Sequence, residues 1–284
     1  MTTELRRRAV ESADVQVPPR VRRLALRALG EPLRRWPRQG ALPEPPTPAP
    51  GDVVGPPDVV GVGVQKAGTS WWFDLIAAHP RVAEPFRKEL HFFAPYFAAD
   101  FADADVERYA RYFPRPDGMV TGEWTPRYMA DVWKVPLIAR AAPGARLLVL
   151  LRDPVERYRS GLAHDLARHA PRNPLVASVH VDRGDYAAQL RHLFDHVPRE
   201  QVLVLQYERC RVEARAQLGR TFEFLGLEPF EPPDLDRRVN VTIDPKPPLP
   251  DHLRRALVHR YRADLTALAE LVPDLDPDLW SSLR

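Results

Sequence analysis

Three groups of residues in this chain have the types and spacing to do chemistry. In the first, Gly63-Val64-Gln65-Lys66-Ala67-Gly68-Thr69-Ser70-Trp71-Trp72, one lysine and two hydroxyls sit on a glycine-bearing turn. Glycine lets backbone N–H groups approach an anion, a following helix N-terminus adds unpaired donors and partial positive charge, and Lys66 adds a full charge. The stretch suits a phosphate-like group, although a tight strand-to-helix turn with a solvated lysine has the same composition. Two familiar phosphate loops do not fit it. A Walker A loop sets its lysine directly after the second glycine, and a dinucleotide fingerprint needs a third glycine at the place Lys66 occupies.

The second group is Lys88-Glu89-Leu90-His91-Phe92-Phe93. A carboxylate between a lysine and an imidazole, against two aromatic rings, can serve as a general base, since burial raises its pKa and cations lower it. An exposed charged pair capping an aromatic anchor reads the same way. The third group is Arg152, at the end of an apolar run, with Ser160 eight residues on. About two helical turns separate them, so an arginine fork and a hydroxyl could share one phosphate. Alternatively Arg152 pairs with Asp153 or Glu156. Between these groups, Thr125-Pro126-Arg127-Tyr128 either presents Thr125 and Tyr128 at a strand end, where open α/β sheets bind ligands, or is an ordinary turn.

These residues need a parallel sheet to bring them together. Val59 to Val64 and Arg146 to Leu151 are apolar and rich in branched residues, as strands buried on both faces are. Met119 to Trp124 and Val202 to Gln206 read as further strands. Helices are expected over Trp71 to His79, Asp100 to Phe113, Asp131 to Ala141, Val155 to His169, Tyr186 to Val197, Val212 to Leu225 and Asp251 to Leu271. The β-α-β-α alternation implies an α/β domain, three layers deep, with a central parallel sheet. Residues 37 to 57 hold eight prolines and read as a linker, placing the start of the folded domain near Asp58. Asn240 to Lys246 is polar enough to cover a cleft, with a surface loop as the default.

Composition narrows the classes. A chain of 284 residues with 44% apolar content supports one sizeable core. Its single cysteine, Cys210, cannot close an internal disulfide, and no apolar run reaches the length of a membrane span, so a cytoplasmic protein is expected. The net charge of +3 is uneven: residues 1 to 40 hold ten arginines against four acids. That leader, with a basic amphipathic stretch from Val21 to Trp36, either contacts an anionic membrane surface weakly or is simply solvated. No nucleic-acid partner is expected. Lysines are scarce, four against 37 arginines, and two of them, Lys66 and Lys88, fall in the groups above.

Taken in order, these segments resemble the sulfotransferases that use 3′-phosphoadenosine 5′-phosphosulfate (PAPS), nearest to their heparan-sulfate-sulfotransferase-like and bacterial branches. The resemblance runs from about Val59 to Leu227. It rests on Gln65 to Trp72, Lys88 to Phe93, Gly122-Glu123 with Thr125-Pro126 and Tyr128, Leu150 to Arg157 with Ser160, Gly184 with Tyr186, and Phe222 to Leu227. It implies the P-loop-like sulfotransferase fold over residues 58 to 284. It also implies that Lys66, Ala67, Gly68, Thr69, Ser70 and Trp71 hold the 5′-phosphosulfate, that Arg152 and Ser160 bind the 3′-phosphate, and that Tyr207 lies near the adenine. Glu89 would be the general base, Lys66 would stabilise the leaving group, His91 would orient the acceptor, and Trp124, Thr125 and Tyr128 would line the acceptor's place. Adenosine 3′,5′-bisphosphate would be the product, and no metal is required.

Two positions depart from the heparan-type pattern: Trp124 stands where lysine is common and Ala94 where aspartate is common. The acceptor is therefore expected to be a hydroxyl, and less readily an amine, on a small molecule, glycolipid or other carbohydrate of smaller or more apolar character. A P-loop nucleotide kinase and a non-catalytic adapter for anionic surfaces are the competing readings. Roles for Lys134, Asn240 and Lys246 stay open.

Overall fold

The computed structural model describes residues 42–84, 87–97, 99–168, 174–233, 235 and 248–284. In chain order these form β1 (Val53–Val54), β2 (Val59–Gly63), α1 (Thr69–Ala77), β3 (Arg87–Lys88), α2 (Asp103–Ala110), β4 (Pro114–Arg115), β5 (Gly122–Trp124), α3 (Lys134–Ala141), β6 (Arg146–Leu151), α4 (Pro154–Arg168), α5 (Pro174–Asp182), α6 (Tyr186–Phe194), β7 (Val202–Gln206), α7 (Tyr207–Val212), α8 (Ala214–Phe224) and α9 (Asp251–Leu271). Five strands make one sheet in the order β3-β5-β2-β6-β7, every pair parallel. All of β2 and β7 is buried, as is β6 beyond Arg146, which is what helices covering both faces of a parallel sheet require.

The strand order places the site. From β2 the chain crosses to one side, to β3, whereas from β6 it crosses to the other, to β7. The reversal falls between β2 and β6, and the crevice at the carboxyl ends of strands at such a point is where α/β sheets take ligands. The Lys66 loop leaves β2 there, and Arg152 leaves β6 beside it.

The turn after β6 is held from several directions. Asp153 is buried, and its Oδ1 accepts the backbone N–H groups of Val155 and Glu156, capping α4. Its Oδ2 accepts from Ser282 N, Glu208 Oε1 accepts Asp153 N, and Tyr186 Oη donates to Arg152 O. Tyr186 is in turn fixed because Asp264 on α9 accepts the first N–H groups of α6. Trp72 on α1 donates from Nε1 to Thr221 Oγ1 on α8 at 3.2 Å, tying the anion loop's helix to its neighbour in the core.

The structure differs from the sequence expectation in four places. Residues from Leu42 to Pro57 are not a free linker: Val53 and Val54 pair antiparallel with Arg115 and Pro114, and Tyr112 Oη donates to Pro43 O at 2.6 Å. The two valines interrupt the prolines and supply the N–H groups that prolines lack. The helix expected over Val212 to Leu225 is α8, which starts at Ala214, and the residues before it form a separate helix, α7, that was not expected. Helix α5 and strand β3 were not expected at all. The basic leader and the segment Asn240 to Lys246 lie outside the described residues.

Candidate active site

The anion loop has the features a cradle needs. Gly68 takes φ +85°, and a Cβ there would stand 2.6 Å from Cε2 of Tyr207, so both the conformation and the ring beside it demand glycine. Helix α1 begins at Thr69 with no side chain capping it and no acid in its first turn, leaving its N-terminal donors for an anion. Ala67 is fully buried and Thr69 nearly so, which confines Ala67's contribution to its backbone. Trp71 is buried, donates to Leu235 O, and lies edge-on to Tyr207. Lys66 adopts φ 71°, a left-handed conformation that side chains rarely take.

Arg152 closes the cradle. Its Nη1 donates to Lys66 O at 2.9 Å and its guanidinium stacks 4.8 Å above the Tyr207 ring, while its buried Nε has no partner. Neither pairing considered from sequence occurs, because Asp153 caps α4 and Glu156 binds Arg159. Ser160 is buried on α4. An unpaired guanidinium donor fixed against an anion loop, with an aromatic face behind it, fits a second phosphate next to a base.

Glu89 and His91 reach the same edge from β3. Lys88 pairs in register with Trp124, Glu89 N donates to Trp124 O, and Lys88 Nζ lies 3.4 Å from each of Thr69 Oγ1, Glu89 Oε1 and Trp124 O. One lysine thus bridges the anion loop and the carboxylate. Burial lowers the Lys88 pKa. Glu89 Oε2 lies 3.4 Å from His91 Nε2. The hydrogen bond from His91, helped by Lys88, holds the Glu89 carboxyl down at about 2 against the opposing effect of burial. Glu89 takes φ 60° and His91 φ 55°. Among the described residues, Lys66, Glu89 and His91 are the non-glycine residues with positive φ, and such strain gathers at functional sites.

Trp124, Thr125 and Tyr128 sit deeper than the sequence suggests. All three are fully buried. Trp124 packs against Gly61, where a Cβ would fall 2.0 Å from its ring, and donates from Nε1 to Gly63 O. Thr125 and Tyr128 direct their hydroxyls to Glu123 and accept from the backbone of His91 and Phe92. Their polar atoms support the Glu89 loop rather than face an acceptor. Sequence reasoning assigned no role to Glu123 or to Arg183, whose Nη1 donates to Gln65 Oε1 beside Lys66. A carboxylate inside a short strand between Gly122 and Trp124 was the one signal for Glu123, and nothing local marked Arg183. Lys134 is buried and paired with Asp131 at 2.6 Å. Among the described residues no cluster of His, Cys, Asp or Glu could hold a metal ion, and no helix is long and apolar enough to cross a membrane.

Fold and site define an α/β protein with Arg152 set against the Lys66 loop at the switch point of a parallel sheet. Residues 56–242 match the model of the sulfotransferase domain, and the chain belongs to that family. It is 30% identical over 192 residues to human heparan sulfate glucosamine 3-O-sulfotransferase 3B1, covering 61% of this chain and 46% of that protein. It is 31% identical over 117 residues to the membrane-associated sulfotransferase kil1 of Dictyostelium discoideum, covering 40% of this chain and 24% of that one. The chain thus spans less than half the length of either relative. A sulfotransferase from Alicyclobacillus acidocaldarius superposes with a TM-score of 0.60 at 23% identity, over 80% of this chain and 100% of that one, a likeness of fold.

Proposed function

We propose that this protein transfers a sulfuryl group from PAPS to an acceptor hydroxyl, with Glu89 as general base. The observation that carries this reading is the meeting of Arg152 with the Lys66 loop: a second cationic site, joined to the first through Lys66 O, suits a nucleotide phosphorylated at both 5′ and 3′ positions. Lys66, the N-terminal donors of α1, and the hydroxyls of Thr69 and Ser70 would hold the 5′ group. Arg152 and Ser160 would hold the 3′-phosphate, and Tyr207, stacked under Arg152, would flank the base. The donor supplies a sulfuryl group bonded to a phosphate that leaves.

On the protein's side, Glu89 is ionised throughout the neutral range and accepts the acceptor's proton as its oxygen attacks. A carboxylate this acidic is a weak base, so it works by taking the proton late, when bond formation has already acidified the hydroxyl. His91 holds the carboxylate in place. Lys66 and Lys88 stabilise negative charge on the group being transferred and on the oxygen it leaves.

The acceptor we favour is a hydroxyl on a molecule smaller or more apolar than a sulfated glycan. Trp124 is sealed in the core and contributes no charge to the cleft. Past Ala94, the exposed Phe97 lies edge-on to Trp133 at 4.9 Å, next to the exposed Val132. Labelled PAPS offered with alkyl alcohols, phenols, glycolipids and heparan-type oligosaccharides tests this. Transfer to the apolar acceptors is expected. Turnover confined to heparan-type oligosaccharides would overturn the acceptor, and phosphoryl transfer from Mg²⁺-ATP with no use of PAPS would overturn the reaction.

A further inference from the structure

Glu123 is a buried carboxylate that forms no ion pair among the described residues. Taking such a group out of water is costly unless its oxygens are satisfied. Three hydroxyls do so: Tyr109 Oη donates to Oε1 at 2.7 Å, Tyr128 Oη to Oε1 at 2.9 Å, and Thr125 Oγ1 to Oε2 at 2.6 Å. Two of these hydroxyls also accept backbone donors of the Glu89 loop. His91 N donates to Thr125 Oγ1 at 3.2 Å, and Phe92 N donates to Tyr128 Oη at 3.0 Å.

Proton counting fixes the direction of both chains. Each hydroxyl has one hydrogen, and its oxygen is already accepting from an N–H, so the hydrogen points at Glu123. Two relays result, His91 N–H to Thr125 to Oε2 and Phe92 N–H to Tyr128 to Oε1. Both need a pure acceptor at their end, and a carboxylate supplies two. The amides they grip lie two and three residues after Glu89, in a stretch where Glu89 and His91 have left-handed backbone that local preference disfavours. Tertiary hydrogen bonds must hold that conformation, and these two act beside the bond from Glu89 N to Trp124 O.

We propose that Glu123 is a positioning residue for the sulfuryl transfer: through Thr125 and Tyr128 it holds the backbone of His91 and Phe92, and so aims Glu89 and His91 at the acceptor. This rests on the reading of Glu89 as the base. Glutamine in place of Glu123 keeps the volume but puts an NH₂ where one relay needs an acceptor, so one hydroxyl proton is stranded.

The test uses the full chain, with PAPS turnover to adenosine 3′,5′-bisphosphate on the best acceptor of the screen and hydrogen exchange of the peptide spanning His91 and Phe92. Glu123→Gln is expected to speed exchange at that peptide, lower kcat at least tenfold, and leave the Kd for adenosine 3′,5′-bisphosphate within about twofold. Thr125→Val should reproduce the kcat loss and Thr125→Ser recover most of it, and this pair carries the test if Glu123→Gln does not fold. Unchanged kcat in folded Glu123→Gln and Thr125→Val, or equal loss of kcat and bisphosphate affinity, would overturn the proposal. Those outcomes are distinct from failure of the functional reading, which would show as no PAPS turnover by the unmodified protein and would remove the catalytic part of this inference with it.

Discussion

In the proposed reaction Glu89 and Lys66 have different tasks, and substitutions at the two can be told apart. Glu89→Gln removes the proton acceptor but no donor contact, so kcat should fall at least about a hundredfold while bisphosphate affinity holds. Lys66→Ala should weaken both, because its charge serves binding and leaving-group stabilisation alike. The pH dependence follows from the carboxyl's own environment. Its folded value of about 2 lies below the ordinary 4.5, so the base form persists in acid and its contribution to stability is present above 4.5 and lost as pH falls toward 2. A kcat/KM profile should therefore show no acid limb from Glu89 above about pH 4, and His91→Ala, which removes the largest cause of the shift, should raise that limb toward the ordinary carboxylate range. A limb near pH 6 in the unmodified protein would assign the base to another group.

Residue types alone made Lys66, Glu89, His91 and Arg152 candidates, each with a structural alternative, and the parallel sheet sets all four at the carboxyl ends of its strands. Glu123 stayed hidden for a physical reason. Its partner Tyr109 comes from α2, and although Thr125 and Tyr128 follow it in one loop, a polar residue in a three-residue strand does not reveal which hydroxyls will turn back to it.

At the scale of elements, the turn from β2 to α1 carries the most specific demand. Gly68→Ala must place a Cβ at φ +85° and 2.6 Å from Tyr207, which costs about 1–3 kcal/mol of strain and displaces the ring under Arg152. A lower melting temperature and at least a tenfold loss of bisphosphate affinity are expected, measured by thermal denaturation and calorimetry. Strands β6 and β7 and helix α9 were readable from apolar runs and their period, since their burial is set by their own composition. Strand β3 was not, because two charged residues become a strand only by pairing with β5. Helix α7 was missed because its six residues are too few to show a helical period.

Over the whole molecule, the α/β architecture with its central parallel sheet was legible, and the pairing of the proline-rich segment before it was not. Proline density suggested a linker up to residue 57, yet Val53 and Val54 pair with β4, and Pro43 accepts a hydrogen bond from the Tyr112 hydroxyl. Removing residues 1–41 is expected to leave the melting temperature and nucleotide binding unchanged, whereas removing 1–57 should lower the melting temperature by several degrees, since it uncovers β4 and Tyr112. Equal stability of the two truncations would return residues 42–57 to the status of a linker.

The proposed two-site cradle at the switch point stands or falls on its hold of the 3′-phosphate. Calorimetric titration without Mg²⁺ should show adenosine 3′,5′-bisphosphate binding at least about a hundredfold more tightly than adenosine 5′-monophosphate, with that preference largely lost in Arg152→Ala, as expected for removal of a charge-assisted phosphate contact. Equal affinity for the two nucleotides, or tight binding of Mg²⁺-ATP alone, would contradict it.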